Sequence, residues 1–375
     1  MRVAFDATSI GSGLGGDETM ARALLRALLD GRADDDEVVA LAARDVDLDH
    51  IVGDHLADQR VRVDRTDRHD GPRHFGWDLP RWVRSLAPAP DLLVCLTHAP
   101  LFGEVPVALM VPDLSFEHLP DAYPRRTRIR LQTLVRRQAP RVDRVLTISE
   151  FCRNDLIETY GLPIGHVHHV PLHADPPAPL DGTLVAERRR ELGIDGPFLL
   201  YLGNLHPRKN LPTAIAAFQQ AQSGHSELAR HKLVVAGATW WSAHDADGDR
   251  RAADTAVRFL GRVSEVDREM LLSEASLLVY PSRFEGFGLP PLEAFGRGTP
   301  VVASNVTSIP EVCGDAALLV DPDDVAGMAE ALASALTDEE VRKRLVEAGY
   351  SRAARYSPQL TTTALWRALR APAAR

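Results

Sequence analysis

Two acidic side chains, Glu285 and Glu293, lie on either side of a segment rich in glycine and proline. The apolar run Leu277–Tyr280 before them is typical of a buried strand, and residues 281–291 contain too much glycine and proline to continue it. A helix can follow through Leu292, because prolines are tolerated in a first helical turn. One carboxylate is therefore expected in a loop and the other in a helix, where both can accept hydrogen bonds from hydroxyl groups.

The residues between the two acids, Gly286, Phe287, Gly288 and Leu289, form a candidate binding loop. Its glycines let the backbone approach a ligand closely. The amides that enter the following helix lie at the end of the helix dipole that favours anions. Because open α/β sheets bind ligands at the carboxyl ends of their strands, we expect this loop to bind phosphate.

A second stretch, Leu199–Asn210, repeats the arrangement with an apolar strand, a Gly203-Asn204 turn and a basic loop. Arg208 and Lys209 are expected above the carboxyl edge of the same sheet. Their charges can neutralise a diphosphate that becomes more negative as a leaving group. The two stretches together predict a site that combines cations, backbone amides and hydroxyl-binding carboxylates.

Short apolar runs alternate with amphipathic stretches along the chain, which is typical of strand-helix units around parallel sheets. The fold class predicted is α/β, with two Rossmann-like domains whose sheets face an interdomain cleft. Asp17–Leu29 is the clearest helix, because its apolar residues recur at helical spacing. The predicted strands are residues 2–5, 37–42, 60–63, 91–96, 105–111, 144–148, 166–170, 198–202, 232–236, 257–260, 277–280, 300–303 and 317–320.

Three prolines within four residues disfavour regular structure in residues 173–182, where we place the domain linker. The linker separates an N-terminal domain, residues 1–172, from a C-terminal domain, residues 183–357. The last segment, residues 358–375, has a helical apolar stripe and is expected to pack back on the N-terminal domain.

The chain has 375 residues and a formal net charge of −9, with 45% hydrophobic and 25% charged residues. This composition favours a soluble protein with two cores and argues against nucleic-acid binding. The three cysteines lack a C-x-x-C pair, which fits a cytoplasmic, reducing location. We expect no secretion signal and no integral membrane segment, because the chain opens on a strand-like stretch and no apolar run is long enough.

The motifs of the second half resemble the family 4 glycosyltransferases, which are retaining enzymes with the GT-B fold. The match is close to signature level, and mannosyltransferase-like members are the most similar. The motifs that carry the resemblance are Glu285-Gly-Phe-Gly-Leu-Pro through Glu293-Ala, Gly298-Thr-Pro-Val-Val, Ile309-Pro-Glu311, Ala317-Leu-Leu-Val-Asp-Pro322, Gly203-Asn204 and Arg208-Lys209-Asn210.

The resemblance implies roles for these residues. Glu293 would hold the nucleotide ribose and Glu285 the hydroxyls of the donor sugar. Arg208 and Lys209 would hold the diphosphate, assisted by the amides of residues 286–288. The stretch Leu260–Val263, which includes Arg262 and Val263, would lie along the base.

Retention in this family implies that the acceptor attacks the face from which the nucleotide leaves. No side-chain nucleophile is needed, because the leaving phosphate can accept the proton of the acceptor. The predicted catalytic residues are Arg208, Lys209, Glu285 and Asp113. We expect no cofactor and no metal, with a nucleotide diphosphate sugar as co-substrate and a carbohydrate or small molecule as acceptor.

The glycine-rich stretch Gly11–Gly16 formally contains G-x-G-x-x-G, a pattern of dinucleotide-binding oxidoreductases. The pattern is weak here, because residues 7–10 separate it from the first strand and the nearest suitable acid, Asp45, lies too far along. The family resemblance instead implies that Gly15 and Gly16 belong to a loop on the acceptor side. A plain turn that caps the following helix is the alternative.

The segment Val111–Phe116 resembles a His-Asp-Leu-Ser-Phe segment of the mannosyltransferase-like members, except that Pro112 replaces the histidine. Asp113 stays a catalytic candidate, and His98 and His118 are candidates for the acceptor side. An ordinary polar residue at a strand end is the competing interpretation. For Ser149, the simplest physical role is a helix N-cap.

Two other clusters have simple explanations. His166, His168, His169 and His173 do not predict a metal site, because His169 faces away from His166 and His168 on a strand and no acidic ligand is close in sequence. Residues 125–144 contain eight arginines, which favour a solvated helix face and leave a weak peripheral membrane contact open.

The predicted function is transfer of a hexose, with mannose from a guanosine diphosphate donor favoured and uridine donors left open. A non-catalytic sugar-nucleotide-binding protein, a sugar-nucleotide epimerase and an NAD-dependent oxidoreductase are the alternatives. The acceptor, the pathway and the oligomeric state have no signal in the sequence.

Overall fold

The computed structural model describes residues 1–12, 15–67, 71–238 and 256–372. The chain forms two compact units. The N-terminal unit contains Met1–His118, Arg125–His173 and Ser357–Arg375, and the C-terminal unit contains Leu119–Pro124 and Ala174–Tyr356. The short segment of residues 119–124 therefore belongs with the second unit, whereas the sequence analysis assigned it to the first. Part of the glycine-rich stretch, Gly13 and Leu14, lies outside the described residues.

The N-terminal unit is built on a parallel sheet with seven strands in the described residues, in the order β3-β2-β1-β4-β5-β6-β7. The strands are β1 Arg2–Asp6, β2 Glu37–Ala43, β3 Val61–Thr66, β4 Leu92–Leu96, β5 Val107–Met110, β6 Arg144–Thr147 and β7 Val167–His169. In the central strand, Val3 lies opposite Val38 of β2 and Leu92 of β4. The strand order reverses between β1 and β4, which leaves a crevice at the carboxyl ends of these two strands.

The longest helix of this unit, α1 Gly16–Asp30, has a buried apolar face. In the first helix, α1, the apolar residues Met20, Leu24 and Leu28 recur at helical spacing and are buried. The Ser149 hydroxyl accepts a hydrogen bond from the Cys152 amide at 3.1 Å, which is the N-cap expected at the start of α7. The helices described are α1 Gly16–Asp30, α2 Asp49–Val52, α3 Gly71–Arg73, α4 Leu79–Ser85, α5 Ser115–His118, α6 Arg125–Gln138 and α7 Glu150–Tyr160.

The C-terminal unit has a parallel sheet in which the described strands follow the order β10-β9-β8-β11-β12-β13. The strands are β8 Phe198–Leu202, β9 Lys232–Ala236, β10 Val257–Gly261, β11 Leu277–Tyr280, β12 Val301–Ser304 and β13 Ala317–Val320. The helices are α8 Gly182–Glu191, α9 Leu211–Gly224, α10 Glu265–Glu274, α11 Leu289–Gly296, α12 Ile309–Cys313, α13 Val325–Thr337 and α14 Glu339–Arg355. The order reverses between β8 and β11, so the loops after these strands diverge around a second crevice.

The last helix, α15 Pro358–Arg370, lies in the N-terminal unit against α1. The Trp366 indole donates to the carbonyl of Ala27 at 3.2 Å, and the Arg144 guanidinium donates to the carbonyl of Ala368 at 2.8 Å. Buried Leu365 and Leu369 supply its apolar face. The end of the chain is thus joined to the first unit by both apolar packing and hydrogen bonds.

The remaining differences from the predicted elements are at their ends. The strand predicted at residues 105–111 is shorter, Val107–Met110, and helix α11 begins three residues before Leu292. Residues 173–181 have no regular structure, and α8 then begins at Gly182 after the N-cap Asp181. Among the helices of the described residues, none is long and apolar enough to cross a membrane.

Candidate functional site

The loop after β8 is shaped by a close approach of two backbone segments. Gly203 has φ 146° and Gly237, after β9, has φ 157°. A Cβ atom on Gly237 would lie 1.8 Å from the carbonyl oxygen of Gly203. The position therefore requires glycine, because any side chain would collide with the backbone. This approach fixes the Gly203-Asn204 turn at the carboxyl edge of the sheet.

A single 3-10 turn, Pro207–Lys209, then presents the two cations. It is held at its start by the His206 ring, whose Nδ1 accepts from the Arg208 amide at 3.2 Å, and at its end by Asn210 in a left-handed conformation. The buried Asn210 side chain donates to the carbonyl of Pro322 at 2.7 Å. Burial, followed by the charges of Arg208 and Lys209, lowers the pKa of His206 to about 3, so this ring is neutral.

Glu285 lies between the two cations. One Arg208 Nη donates to Glu285 Oε2 at 2.9 Å, and Lys209 Nζ lies 2.6 Å from Oε1. Lys209 also donates to the Tyr280 hydroxyl at 2.7 Å. Burial would raise the pKa of Glu285, but the charges of Arg208 and Lys209 outweigh it and hold this pKa at about 2. The site is therefore an ionised carboxylate with two cations.

The loop that carries Glu285 is tied down by the start of α12. The Ser308 hydroxyl lies 2.9 Å from the carbonyl oxygens of both Glu285 and Phe287 and donates to them. The Thr307 hydroxyl accepts from the Glu285 amide at 3.1 Å. Gly288, with φ 115°, is the N-cap of α11. These contacts set the backbone of the loop independently of any ligand.

Glu293 is buried in α11 and forms a separate ion pair with Arg268 of α10. Its carbonyl accepts from the Arg297 guanidinium at 3.0 Å. Burial would lower the pKa of Arg268, but the charge of Glu293 outweighs it and raises this pKa. The structure thus joins Glu285 with Arg208 and Lys209 in one cluster and pairs Glu293 with a different cation.

The other residues predicted for this unit lie in the loops after β10 and β11 or at the start of α11. Gly286 is buried and Leu289 is half-buried, and the buried Phe287 ring packs edge-on against Tyr356 with centroids 5.4 Å apart. Arg262 is exposed and Val263 half-buried, directly after β10. All of them follow the carboxyl ends of strands, and their roles stay predictions.

The residues predicted in the N-terminal unit contact other side chains and backbone groups of that unit. Asp113 accepts from the Ser115 amide at 2.9 Å and from its hydroxyl at 2.5 Å, and His118 Nε2 lies 2.7 Å from Asp155. His98 packs against the Phe75 ring at 5.0 Å, and burial lowers its pKa to about 4. Gly15, with φ 58°, directly precedes α1, which Gly16 begins.

The histidines of residues 166–173 contact different groups. His166 Nε2 lies 2.7 Å from the carbonyl of Ala139, His169 Nδ1 lies 3.0 Å from Glu150, and His173 Nδ1 lies 2.9 Å from the Thr361 hydroxyl. These contacts join the three imidazoles to the turn after α6, to α7 and to α15.

Sequence reasoning missed four residues that shape the site: Tyr280, Thr307, Ser308 and Arg268. Ser308 and Thr307 directly precede the Ile309-Pro-Glu motif, so that motif was a usable signal for them. The left-handed conformation of Thr307, with φ 58°, has no such signal. The Arg268 pair links residues 25 positions apart in two helices and depends on how they pack.

Comparison with known proteins identifies the family of each half of the chain. Residues 185–352 match the family described as "Glycosyl transferases group 1", and residues 14–176 match "Glycosyltransferase Family 4". The two units with parallel sheets define a two-domain α/β transferase fold. The chain belongs to the family 4 glycosyltransferases with the GT-B fold, which confirms the family and fold class predicted from the sequence.

Three individual relatives and solved structures are between 17% and 33% identical to this chain over the aligned residues. The O-antigen chain mannosyltransferase B of Escherichia coli is 33% identical over 225 residues, which span 58% of this chain and 58% of that relative. The sucrose-phosphate synthase structure from Thermosynechococcus elongatus has a TM-score of 0.73 at 19% identity and covers 99% of this chain and 98% of its own. The Anabaena HepE complex with UDP and glucose has a TM-score of 0.74 at 17% identity, with coverage of 98% and 99%.

Proposed function

We propose that this chain is a retaining hexosyltransferase that uses a nucleotide diphosphate sugar. The observation that carries the proposal is the Glu285 carboxylate held ionised between Arg208 and Lys209 at the crevice between β8 and β11. The cluster has a net charge of +1, and the backbone amides that precede Pro290 at the start of α11 add to its attraction for anions. A diphosphate and a hydroxylated ring fit this combination.

In this proposal Arg208 and Lys209 bind the diphosphate, with Gly203, Asn204 and the amides of residues 286–288 beside them. Glu285 accepts hydrogen bonds from the donor sugar. The ribose lies at Glu293 and the base along Arg262 and Val263, with Phe287 and Leu289 lining the donor site. On the acceptor side we propose Gly15, Gly16, His98 and His118, together with Asp113 as a catalytic residue.

The chemistry needs no protein nucleophile. The bond between the anomeric carbon and the phosphate oxygen breaks while the acceptor oxygen bonds the same face of that carbon. The acceptor proton passes to the departing diphosphate oxygen. Arg208 and Lys209 stabilise the charge that develops there, because they are already oriented by Glu285 and need no reorganisation. In this proposal the two cations take the role of a divalent metal, and no cofactor takes part.

Mannose from a guanosine diphosphate donor is the substrate we propose. The support is that relatives with 33% and 29% identity are O-antigen chain mannosyltransferases. Uridine donors are the second candidate, because the HepE structure contains UDP and glucose. The acceptor we propose is a glycan or a small hydroxylated molecule.

The test is nucleotide release from a panel of nucleotide sugars, with and without simple glycoside acceptors. We expect release from GDP-mannose that increases with acceptor and falls at least tenfold in Glu293→Ala. The control is Glu274→Ala, which removes an exposed partner of Arg189 in the same unit. Nucleotide binding without release would support a non-catalytic binding protein, and acceptor-independent turnover would support an epimerase.

We also propose that α6 contacts anionic lipid. The helix carries six arginines and no acidic residue, and within the described ranges none of the six forms an ion pair. Ile129, in its middle, is 48% exposed. Vesicles with phosphatidylglycerol should bind the protein and phosphatidylcholine vesicles should not. Arg126→Glu with Arg130→Glu should abolish binding, whereas Arg342→Glu with Arg344→Glu on α14 should not; equal loss in both would refute the proposal.

The burial of Cys95, Cys152 and Cys313 as thiols rather than as disulfides in the described structure supports a cytoplasmic location as part of the same proposal.

A further inference from the structure

A carboxylate and an imidazole that the proposed reaction leaves unused meet in the N-terminal unit. His74 Nε2 lies 2.7 Å from Asp6 Oδ2 and 3.2 Å from the Thr8 hydroxyl. The other oxygen of Asp6 accepts from the Thr8 hydroxyl at 2.6 Å and from the Thr8 amide at 3.1 Å. Asp6 is buried, and the His74 side chain keeps 15% of its surface exposed. The pair is therefore rigid on the Asp6 side and open to solvent on the His74 side.

The position of the pair in the fold is that of a ligand site. Asp6 is the last residue of β1, and β1 lies beside β4, where the strand order reverses. The crevice at such a reversal is where parallel sheets bind ligands. His74 begins a π-helical turn, His74–Asp78, of a kind that is frequent at functional sites. The next residue, Phe75, packs against His98, which follows β4.

We propose that the Asp6–His74 pair is an acceptor-binding site, in which His74 donates a hydrogen bond to a hydroxyl or carboxylate oxygen of a glycoside acceptor. Asp6 acts through His74 as a positioning residue, because it fixes the ring and leaves Nδ1 for the ligand. This inference rests on the proposed transfer function. It adds a second crevice with its own ligand chemistry, distinct in its residues from the Glu285 cluster.

The charges around the ring support the donor role. Burial alone would raise the pKa of Asp6 and lower that of His74, but their mutual attraction outweighs it in both. Asp78 raises the pKa of His74 further, and Cys95, whose own pKa is raised by burial and by Asp6, is a neutral neighbour on β4. His98 is neutral as well, because burial lowers its pKa. The raised pKa extends the imidazolium form of His74 to higher pH, and in that form both ring nitrogens donate.

The neighbouring strand is consistent with this assignment. Pro112 follows β5, which lies beside β4, and a proline there supplies neither a donor nor an acceptor side chain. Next to β5 in the sheet lies β4, which His98 follows, and next to β4 lies β1, which ends at Asp6. In this chain, imidazoles for a hydroxylated ligand come from β4 and from the π-helical turn rather than from the end of β5.

The experiment uses the full chain with GDP-mannose as donor and methyl α-mannoside as probe acceptor. His74→Gln should raise the acceptor KM about tenfold, the loss expected for one charge-assisted hydrogen bond, and leave the KM for GDP-mannose within twofold. In the wild type the acceptor KM should rise as pH increases through the raised pKa of His74, and this rise should disappear in the variant. The matched control is His55→Gln, which removes a half-buried imidazole 3.0 Å from Asp30 in the same unit.

A second measurement covers the case in which His74→Gln fails to fold. In the wild-type protein, the probe acceptor should shift the NMR signal of the His74 ring and leave that of His55 unchanged. An unchanged acceptor KM in a folded variant, or an unchanged His74 signal, would overturn the inference while the transfer function stands. Absence of nucleotide release from the wild type itself would instead refute the transfer function.

Discussion

The Glu285 cluster and the Asp6–His74 pair both place a buried carboxylate against cations at the reversal point of a parallel sheet. They differ in the kind of cation. Glu285 faces an arginine and a lysine, which stay charged across the physiological range, whereas Asp6 faces a histidine, which does not. The first site therefore keeps a fixed positive charge for phosphates, and the second has a charge that depends on pH. A change in pH should therefore alter binding of the acceptor and leave binding of the donor unchanged.

The largest effect should come from removing a fixed charge of the proposed donor site. Lys209→Ala should lower kcat for nucleotide release by about 100-fold or more, the usual loss for one group that stabilises a leaving charge. Lys232→Ala is the matched control, because that lysine starts β9 and pairs with exposed Asp195 at 2.5 Å. Similar kcat values in the two variants would show that Lys209 has no special role.

Next in size is the stability that the Glu285 carboxylate gives to the C-terminal unit. Its pKa is lowered from 4.5 to about 2, so this stabilisation is complete above pH 4.5 and is lost as pH falls toward 2. Glu285→Gln should lower the free energy of unfolding by about 3 kcal/mol at neutral pH. At pH 3 this loss should be smaller by about 2 kcal/mol, because the carboxylate then contributes less. Urea denaturation at both pH values measures this difference.

The control for that measurement is Glu347→Gln, an exposed position of α14, which should change stability by less than about 0.5 kcal/mol at either pH. If the loss in the free energy of unfolding caused by Glu285→Gln is the same at both pH values, the fold does not selectively stabilise the ionised carboxylate.

A smaller effect should connect the two members of the N-terminal pair. Asp6→Asn and His74→Gln should each lower kcat/KM for the acceptor, and the double variant should be little worse than either single one. The coupling free energy expected is about 1 to 2 kcal/mol, because the residues act as one unit. Additive losses would show that Asp6 and His74 act independently and would break the comparison with the Glu285 cluster.

The meeting of Arg208, Lys209 and Glu285 could be expected from the sequence, because the backbone of their two loops demands particular residues. The approach of Gly237 to Gly203 and the left-handed Gly288 both require glycine, and the prolines of the first turn of α11 are tolerated only there. Positions that require glycine or tolerate proline can be recognised directly in the amino-acid sequence. The same tolerance of proline explains why α11 begins before Leu292.

The Asp6–His74 pair could not be predicted in that way. Its members are 68 residues apart, and their contact depends on the π-helical turn that aims His74 at the end of β1. An aspartate that ends a strand and a histidine in a polar stretch are both ordinary in sequence. The Arg268–Glu293 contact between two helices was missed for the same physical reason, since it arises only from packing.

The pH dependence of the two Michaelis constants, measured in one preparation between about pH 5.5 and 8.5, tests the central comparison most directly. We expect a constant KM for GDP-mannose, because the pKa of Glu285 is about 2 and arginine and lysine side chains ordinarily titrate far above this range, and an acceptor KM that rises as His74 loses its proton. A donor KM that changes with pH while the acceptor KM stays constant would contradict it.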